Sequence, residues 1–427
     1  MFIVGFFLSL TFQDFEIMQH NLPSTKDEVI QIIETALKTQ SSLEVVCHKT
    51  KRSYGRPVDA DQLLDMKNFS SVINYEPSEL YIQCQPGAKV SDLSNILDQN
   101  KQCFAFEPPD WGPMFGSKAG SGSVGALVAC NLAGSRRIKQ GATRDHLLGF
   151  HAISGRGEEF KSGGTVVKNV AGFDLSKLMA GSLGTLAVMT QLTIKVVPKP
   201  EKARSILLYW PKGKSSDHPA IKVMTQALGS NYEVSGASHL PQSVVHRSKL
   251  NFVNAKNSAI TALRIEGPEP SVEARCTALR RILIKFGETE ELHTSNSLKL
   301  WKEISDVAIF SEDTSRPLWR IMVPPAFGAD IGKKVLKSME GDLFYDWGGG
   351  QIWLASESYQ NAMVPKLFEI VNAVGGEVNL VRGSKKVRSE IDVFMQKKPG
   401  ILELTRKIKK AFDPEEILNP GRMYPPG

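Results

Sequence analysis

Between Ala119 and Asp145 the chain reads AGSGSVGALVACNLAGSRRIKQGATRD. The first half of this stretch is nearly bare of side chains. Such a segment cannot build a core of its own, but it can bring its backbone close to a ligand and turn its N–H groups toward it. The second half supplies Arg136, Arg137, Lys139 and Arg144. Bare amides followed by cations suit a phosphate group. The stretch predicts a phosphate-bearing cofactor.

Two generic phosphate motifs compete for it. Gly120-x-Gly-x-x-Gly125 fits the dinucleotide fingerprint, and Asp145 stands 20 residues beyond Gly125, where a ribose-binding acid would sit. That fingerprint must follow a buried strand, whereas Pro113-Met-Phe-Gly-Ser-Lys118 precedes this one. A Walker loop needs Gly-Lys-Ser/Thr after its glycines, and none follows. Three separated segments argue better together: Lys49-Thr-Lys51, Gly120 to Arg137, and Gly181-Ser-Leu-Gly-Thr185. Each is a loop of small or polar residues beside a predicted strand or helix. A long cofactor threaded between them would have its diphosphate held by main-chain amides.

The rest of the chain sets the frame. Its 427 residues exceed one ordinary core, so two domains are expected. The net charge of +7 comes without an arginine-rich arm or an aromatic RNA-binding motif, which argues against nucleic acid. The five cysteines form no C-x-x-C pair and suit reduced thiols in the cytoplasm. Neither they nor the eight histidines have metal-ligand spacing, and no metal is expected. The apolar residues 1–12 are too short to span a bilayer and lack a basic start and a cleavage site. They read as an extension ahead of Met18. Thr25-x-x-Glu28 is a capping box that predicts a helix to about Thr39, followed by a strand over Leu43–Val46. Further strands are predicted over 69–74, 80–85, 147–154 and 185–197. Pro198-Lys-Pro200 marks a domain boundary. Beyond it, strands near 205–210, 262–266, 319–323, 343–346 and 351–354 predict an antiparallel sheet, with helices at 220–228, 271–286, 359–374 and 401–412.

Several long motifs carry a resemblance over most of the chain, from about Pro23 to Met423. They are Phe106–Gly112, Ser123–Asn131 with Gly134-Ser-Arg-Arg137, Arg144–Gly149, Val167–Leu178, Gly181–Leu186, Tyr345–Gly349 and Asp413–Arg422. In these the chain resembles the flavin-binding subunits of bacterial glycolate oxidases, within the vanillyl-alcohol-oxidase/PCMH flavoprotein superfamily. The resemblance implies an α+β fold: an extension over 1–22, a PCMH-type FAD-binding domain of two α+β subdomains over 23–200, an α+β cap with an antiparallel sheet over 201–398, and a C-terminal segment, 399–427, returning to the FAD domain. It implies non-covalent FAD. Thr50 and Lys51 would sit on a first diphosphate loop. Gly120, Gly122, Ser123, Val124 and Gly125 would form a second, with Asn131, Gly134 and Arg137 behind it. Gly181, Ser182, Gly184 and Thr185 would line the far side. Lys168, Asn169 and Gly172 would approach the flavin, and Asn419 would close over it. Cys47, His48 and Lys49 stand where the resemblance leads one to expect small residues. Positive φ there would cost roughly 1 kcal/mol or more per residue.

The function implied is a subunit of a glycolate oxidase or dehydrogenase complex, cytoplasmic or held at a membrane by its partners. Those partners would be a larger FAD-dependent catalytic subunit and an iron–sulfur subunit, and the complex would act on a small 2-hydroxy acid. Oxidising such an acid needs a base near the hydroxyl and a cation for the carboxylate. Between Ser295 and Gly427 there is no histidine, so no catalytic residue is assigned. Arg320, Arg382 and Arg422 are the carboxylate candidates, with surface or ion-pair roles expected for them. The six tryptophans have no cofactor-box spacing, and Trp111, Trp301, Trp319, Trp347 and Trp353 are expected in cores. A non-redox scaffold that stabilises the catalytic subunit is the alternative.

Overall fold

Thr25 starts the first helix, Lys26–Thr39, by accepting from the Glu28 amide, while the Glu28 carboxylate accepts from Ser24 N. Val29, Ile33 and Ala36 form its buried stripe, as their three- and four-residue spacing requires. The stripe packs on a parallel sheet of Gln19–Asn21, Gln62–Asp65 and Leu43–Val46, in that order. This computed structural model describes residues 18–165, 173–213, 215–358, 363–395 and 397–425.

A second layer is a five-stranded antiparallel sheet. Its order is Val72–Glu76, Tyr81–Cys84, Ala187–Lys195, Leu147–Ser154 and Glu159–Gly163. Helix Val90–Gln99 buries Leu93 and Leu97 in the same core. The glycine stretch supplies the short helix Val124–Ala129, capped by Ser123, whose hydroxyl accepts from the Ala126 amide.

The remaining chain builds an eight-stranded antiparallel sheet. From edge to edge it runs Glu288–Leu292, Lys202–Tyr209, Ile260–Gly267, Val234–Leu240, Gly341–Asp346, Gln351–Ser356, Leu318–Met322 and Glu377–Arg382. Period-two alternation divides its side chains. Trp319, Ile321, Leu343, Tyr345, Ile352 and Leu354 face helices Asp217–Leu228, Gly328–Ser338 and Met363–Asn372. Leu318, Phe344, Trp353 and Ala355 face the other way, into a core continuous with that of the first two sheets. Arg320 shares this inner face and lies directly across from Trp353 in register.

The two halves are locked by buried charge. Arg264, fully buried, donates through Nη1 to Glu107 Oε1 at 2.5 Å and through Nη2 to Glu107 Oε2 at 3.1 Å. Arg136 crosses in the opposite sense to Glu266, at 3.1 and 2.5 Å. Burial raises the Glu266 carboxyl, but Arg264 and Arg136 outweigh it and hold the group down at about 2.

The last helix, Pro399–Phe412, leads the chain back to the first sheet. Asp413, fully buried, accepts from Ile417 N at 3.1 Å and Leu418 N at 2.8 Å and pairs with Lys409. Leu418 then bridges Leu43 in parallel, and Asn419 N donates to Leu43 O at 2.9 Å. The C-terminal residues thus line up beside the strand that opens the first glycine-poor loop.

Candidate functional site

That loop follows strand Leu43–Val46. His48 and Lys49 both adopt left-handed backbone, with φ of 54° and 58°. Successive left-handed residues turn their N–H groups inward as an anion-binding nest. The amides of residues 48–51 find no acceptor among the described residues. The strain at two non-glycine residues therefore maintains a concave set of free donors. The His48 ring, 2.8 Å from Gly87 O through Nε2, helps to pin the turn.

Lys51 extends from the nest into the interior. It is 7% exposed, and among the described residues its Nζ makes one hydrogen bond, to Thr50 Oγ1 at 3.5 Å. No carboxylate pairs with it among the described residues, and burial holds its pKa below the usual lysine value. Its Nζ stops 3.2 Å from where a Cβ on Gly122 would be. The amides of Gly122 and Ser123 are likewise without an acceptor among the described residues. A buried, unpaired cation between two sets of free amides needs an anion.

One cavity runs from this point. It is lined by Val45, Val46, Cys47, Lys49, Lys51, Arg52, Met66, Pro86, Gly125, Ala126, Ala129, Cys130, Leu183, Gly184, Ala187, Val188, Met189 and Arg422. Its walls come from all three separated loops and from the C-terminal tail. Gly125 lies so close to Pro86 that an added Cβ would meet the proline ring at 2.6 Å. Gly184 has φ of 70° and leaves room for the Asn419 amide, 2.8 Å from its missing Cβ. Asn419 bonds both neighbouring loops, accepting from Val45 N at 2.8 Å and donating to Leu183 O at 2.8 Å. Arg422, 8% exposed, donates to Lys51 O at 3.0 Å, while its buried Nε has no hydrogen-bond partner among the described residues. Burial raises the thiols of Cys47, to about 12, and Cys130, so both stay neutral.

Of the residues expected at the cofactor, Lys51, Gly125 and Gly184 line this cavity directly. Thr50, Gly122, Ser123, Val124 and Asn419 adjoin it through the contacts above or as chain neighbours. Gly181, Ser182 and Thr185 shape its far turn: Gly181 N donates to Val128 O at 3.1 Å, and Thr185 Oγ1 to Ser182 O at 2.7 Å. Asn131 Oδ1 accepts from Arg144 N at 3.0 Å, tying the glycine stretch to the next turn. Gly120 N is held by Asp110 Oδ2 at 2.7 Å. Gly134 and Arg137 do not line the cavity; both meet Trp347 across the seam between the halves. Lys168, Asn169 and Gly172 lie outside the described residues. Cys130 and Met189 were not assigned to the site from sequence, because small and apolar residues carry no signal that separates a ligand wall from a core.

The three candidate arginines are all buried rather than at the surface; Arg422 has the ion pair that was the other expectation, its Nη1 3.5 Å from Glu44 Oε1. Arg382 donates to four backbone carbonyls, of Arg316, Met114, Phe310 and Asp313, and serves as a staple. Arg422 belongs to the cavity. Arg320 stands among the rings of Trp111, Trp347 and Trp353, at 5.9, 5.0 and 5.9 Å from their centroids. Tyr54 packs edge-on against Trp111 at 6.0 Å. The tryptophans are indeed buried, but three of them also enclose a cation.

Asp346 links the same region to the glycine stretch. Its Oδ2 accepts from Ser135 Oγ at 2.7 Å and its Oδ1 from Trp347 N at 2.8 Å. Burial raises the carboxyl to about 7. The folded state therefore keeps this proton after the unfolded chain has lost it. The resulting stability is complete below about pH 4 and lost as pH rises to about 7, amounting to roughly 4 kcal/mol. Asp346→Asn is expected to abolish that slope. The unfolding free energy of the wild type relative to the variant, followed in urea from pH 4 to 8, should fall through this window.

Comparison with known proteins adds the following. Residues 21–163 match the FAD binding domain family, and residues 389–423 match the C-terminal domain of FAD linked oxidases. The chain is 28% identical to "Glycolate oxidase subunit GlcE" of Escherichia coli (strain K12) over 396 residues, covering 93% of this chain and 96% of that protein. It is 25% identical to "Glycolate oxidase subunit GlcD" of Bacillus subtilis (strain 168), over 86% of this chain and 80% of that protein. It is 23% identical to the mitochondrial D-lactate dehydrogenase [cytochrome] of Arabidopsis thaliana, over 85% of this chain and 65% of that protein. Among solved structures, 4-ethylphenol oxidase from Gulosibacter chungangensis superposes with a TM-score of 0.70 at 15% identity, over 95% of this chain and 89% of that one. p-Cresol methylhydroxylase does so with a TM-score of 0.68 at 12% identity, over 95% and 88%. The α+β fold with its antiparallel-sheet domain is that of these two structures.

Proposed function

We propose, for a chain that belongs to the FAD-linked oxidases, the role of the FAD-binding subunit of a glycolate oxidase complex, taking part in oxidation of glycolate to glyoxylate. The observation that carries this reading is the buried, unpaired Lys51 between the nest and the Gly122–Ser123 amides. That donor set fits a diphosphate. In this reading Thr50, Lys51, Gly122, Ser123 and Gly125 hold the diphosphate, and Leu183, Gly184, Asn419 and Arg422 complete the enclosure. Bound FAD supplies a two-electron acceptor for the hydroxy acid and a route onward to a partner. The apolar walls of the cavity exclude water from around the cofactor.

The proton of the substrate hydroxyl goes to a base that we assign to the larger flavin subunit, since residues 295–427 hold no histidine. Electrons leaving the complex call for an iron–sulfur partner, because the five cysteines of this chain have no cluster-binding spacing. No described helix is long and apolar enough to cross a membrane.

The test is flavin quantification on the chain co-purified from its host, with absorbance of the isolated chain beside it. The reading expects stoichiometric, acid-extractable FAD and bleaching of the complex by glycolate. A folded, colourless chain that ignores added FAD would instead make it a scaffold.

A further inference from the structure

Helices Lys26–Thr39 and Pro399–Phe412 each run for 14 residues. The first buries Val29, Ile33 and Ala36, whereas no residue of the second is buried. Yet the second carries a regular apolar stripe. Ile401, Leu404, Ile408 and Phe412 follow one another at three- and four-residue steps. Half of that stripe is used: Ile408 and Phe412 pack against the core, and the Phe412 ring lies 5.5 Å from that of Phe160. Ile401 and Leu404 continue the same line and stand 50% and 57% exposed. An amphipathic helix forms by covering its apolar stripe, so this half lacks the surface that the other half has.

The surroundings of the exposed pair are cationic. Residues 397–412 hold six lysines and arginines against one acid, Glu403. Lys398 precedes Ile401 by three residues and Lys407 follows Leu404 by three, so they flank the pair on either side. Lys398, Arg406 and Lys410 are exposed and have no carboxylate within 4.0 Å among the described residues. Lys407 meets Glu403 at 2.7 Å on the open surface, which fixes it only weakly. An apolar centre with a free cationic border is complementary to an apolar centre bordered by carboxylates.

The other half of the helix reaches the cofactor cavity. Lys409 Nζ donates to Thr185 O at 2.7 Å, in the turn that shapes the far end of the cavity, and to Leu418 O at 3.0 Å, beside Asn419. At a rise of about 1.5 Å per residue, Leu404 stands about 8 Å along the axis from Lys409, and Ile401 about 12 Å. The exposed pair therefore lies next to the cofactor wall. Electrons pass between two flavins only when both are held close, so a subunit that exchanges them with this chain must settle near that wall. A lipid surface has no such requirement.

We propose that Ile401 and Leu404, bordered by Lys398 and Lys407, are the docking face for the larger flavin subunit of the complex, met there by an apolar patch ringed with Asp or Glu. The inference deepens the flavin-subunit reading and rests on it for the partner's identity, whereas the face itself stands on helix Pro399–Phe412. Covering Ile401 and Leu404 removes apolar surface from water, and the carboxylates set the orientation and speed of the encounter.

The test recovers the tagged full chain together with the larger subunit from the host. Ile401→Glu/Leu404→Glu is expected to lower the recovered larger subunit about tenfold or more, with the melting temperature and flavin content of the isolated chain unchanged. Lys398→Glu/Lys407→Glu is expected to lower it about tenfold, and the wild-type assembly to weaken as salt rises from about 50 to about 500 mM. Arg406→Glu, which changes charge away from the pair, is expected to leave recovery as in the wild type. Recovery that the double apolar variant leaves intact overturns the proposal. So does an Arg406→Glu loss as large as that of the lysine changes, since net charge alone then governs assembly. Vesicles of phosphatidylglycerol are the counter-test: binding to them that the apolar variant abolishes, with the larger subunit still recovered, makes this a lipid face and overturns the proposal too. The two readings fail separately. A wild-type chain that brings down no larger subunit sinks the subunit reading and the docking with it. A chain that brings it down through this face but carries no flavin becomes the scaffold, and the docking stands. A flavin-bearing chain that brings it down whatever stands at 401 and 404 sinks the docking alone.

Discussion

Arg264→Met is expected to lower the unfolding free energy by about 3–5 kcal/mol, more than any surface change would. The arginine is fully buried, grips Glu107 with both terminal nitrogens, reaches Ser235 O at 3.2 Å and lies 4.6 Å over the Trp301 ring. Methionine replaces the stem but leaves Glu107 without its cation. Glu266, held down at about 2 by Arg264 and Arg136, loses one of the two. Glu107 and Arg136 come from one side of the seam, Arg264 and Glu266 from the other, so the loss loosens the halves from each other. Urea unfolding at neutral pH measures it. A change under about 1 kcal/mol would mean that the network is solvated and does not couple the halves.

Lys51→Met is expected to move two quantities in opposite directions. Flavin affinity should drop between about ten- and a hundredfold, since a charge-assisted hydrogen bond contributes about 1.5–3 kcal/mol. The apo chain should gain stability, because a 7%-exposed cation with one 3.5 Å hydrogen bond is replaced by an isosteric apolar stem. A side chain present only to hold the fold would show the reverse. Flavin retention on dialysis, paired with thermal unfolding of apo protein, reads both. A variant that binds FAD as the wild type does would remove Lys51 from the site.

Much of the cofactor site was legible because its residues are constrained in type. Gly125 admits no Cβ against Pro86, and Gly184 none against Asn419, so small residues in these loops announce themselves. The nest was less legible. Only the resemblance, which leads one to expect small residues at 47–49, raised positive φ there; the residue types themselves give no sign of the left-handed conformation that His48 and Lys49 adopt. The first helix was written out in full by its cap and its stripe. Strand Val234–Leu240 was not. Its Val-Ser-Gly-Ala-Ser-His-Leu is buried throughout and mostly small or polar, so it has neither alternation nor an apolar run. Strand Gln62–Asp65 lies within a parallel sheet and shows no alternation either. The expected strand at 69–74 is shifted to Val72–Glu76, because Asp65 caps a short 3-10 turn over Met66–Asn68 first. Arg320 and Arg382 were misjudged for one reason. A guanidinium in a sequence carries no mark of burial, and only the aromatic rings gathered from 111, 347 and 353 reveal where Arg320 sits.

The return of the tail to Leu43 ties the cavity to a segment far away in the chain. Asn419 bonds Val45 and Leu183, and Arg422 lines the cavity and donates to Lys51 O. Undocking that one segment strips a wall from the cavity and unlinks the loops on either side of it, so a ligand held there is retained by a latch as well as by its own contacts.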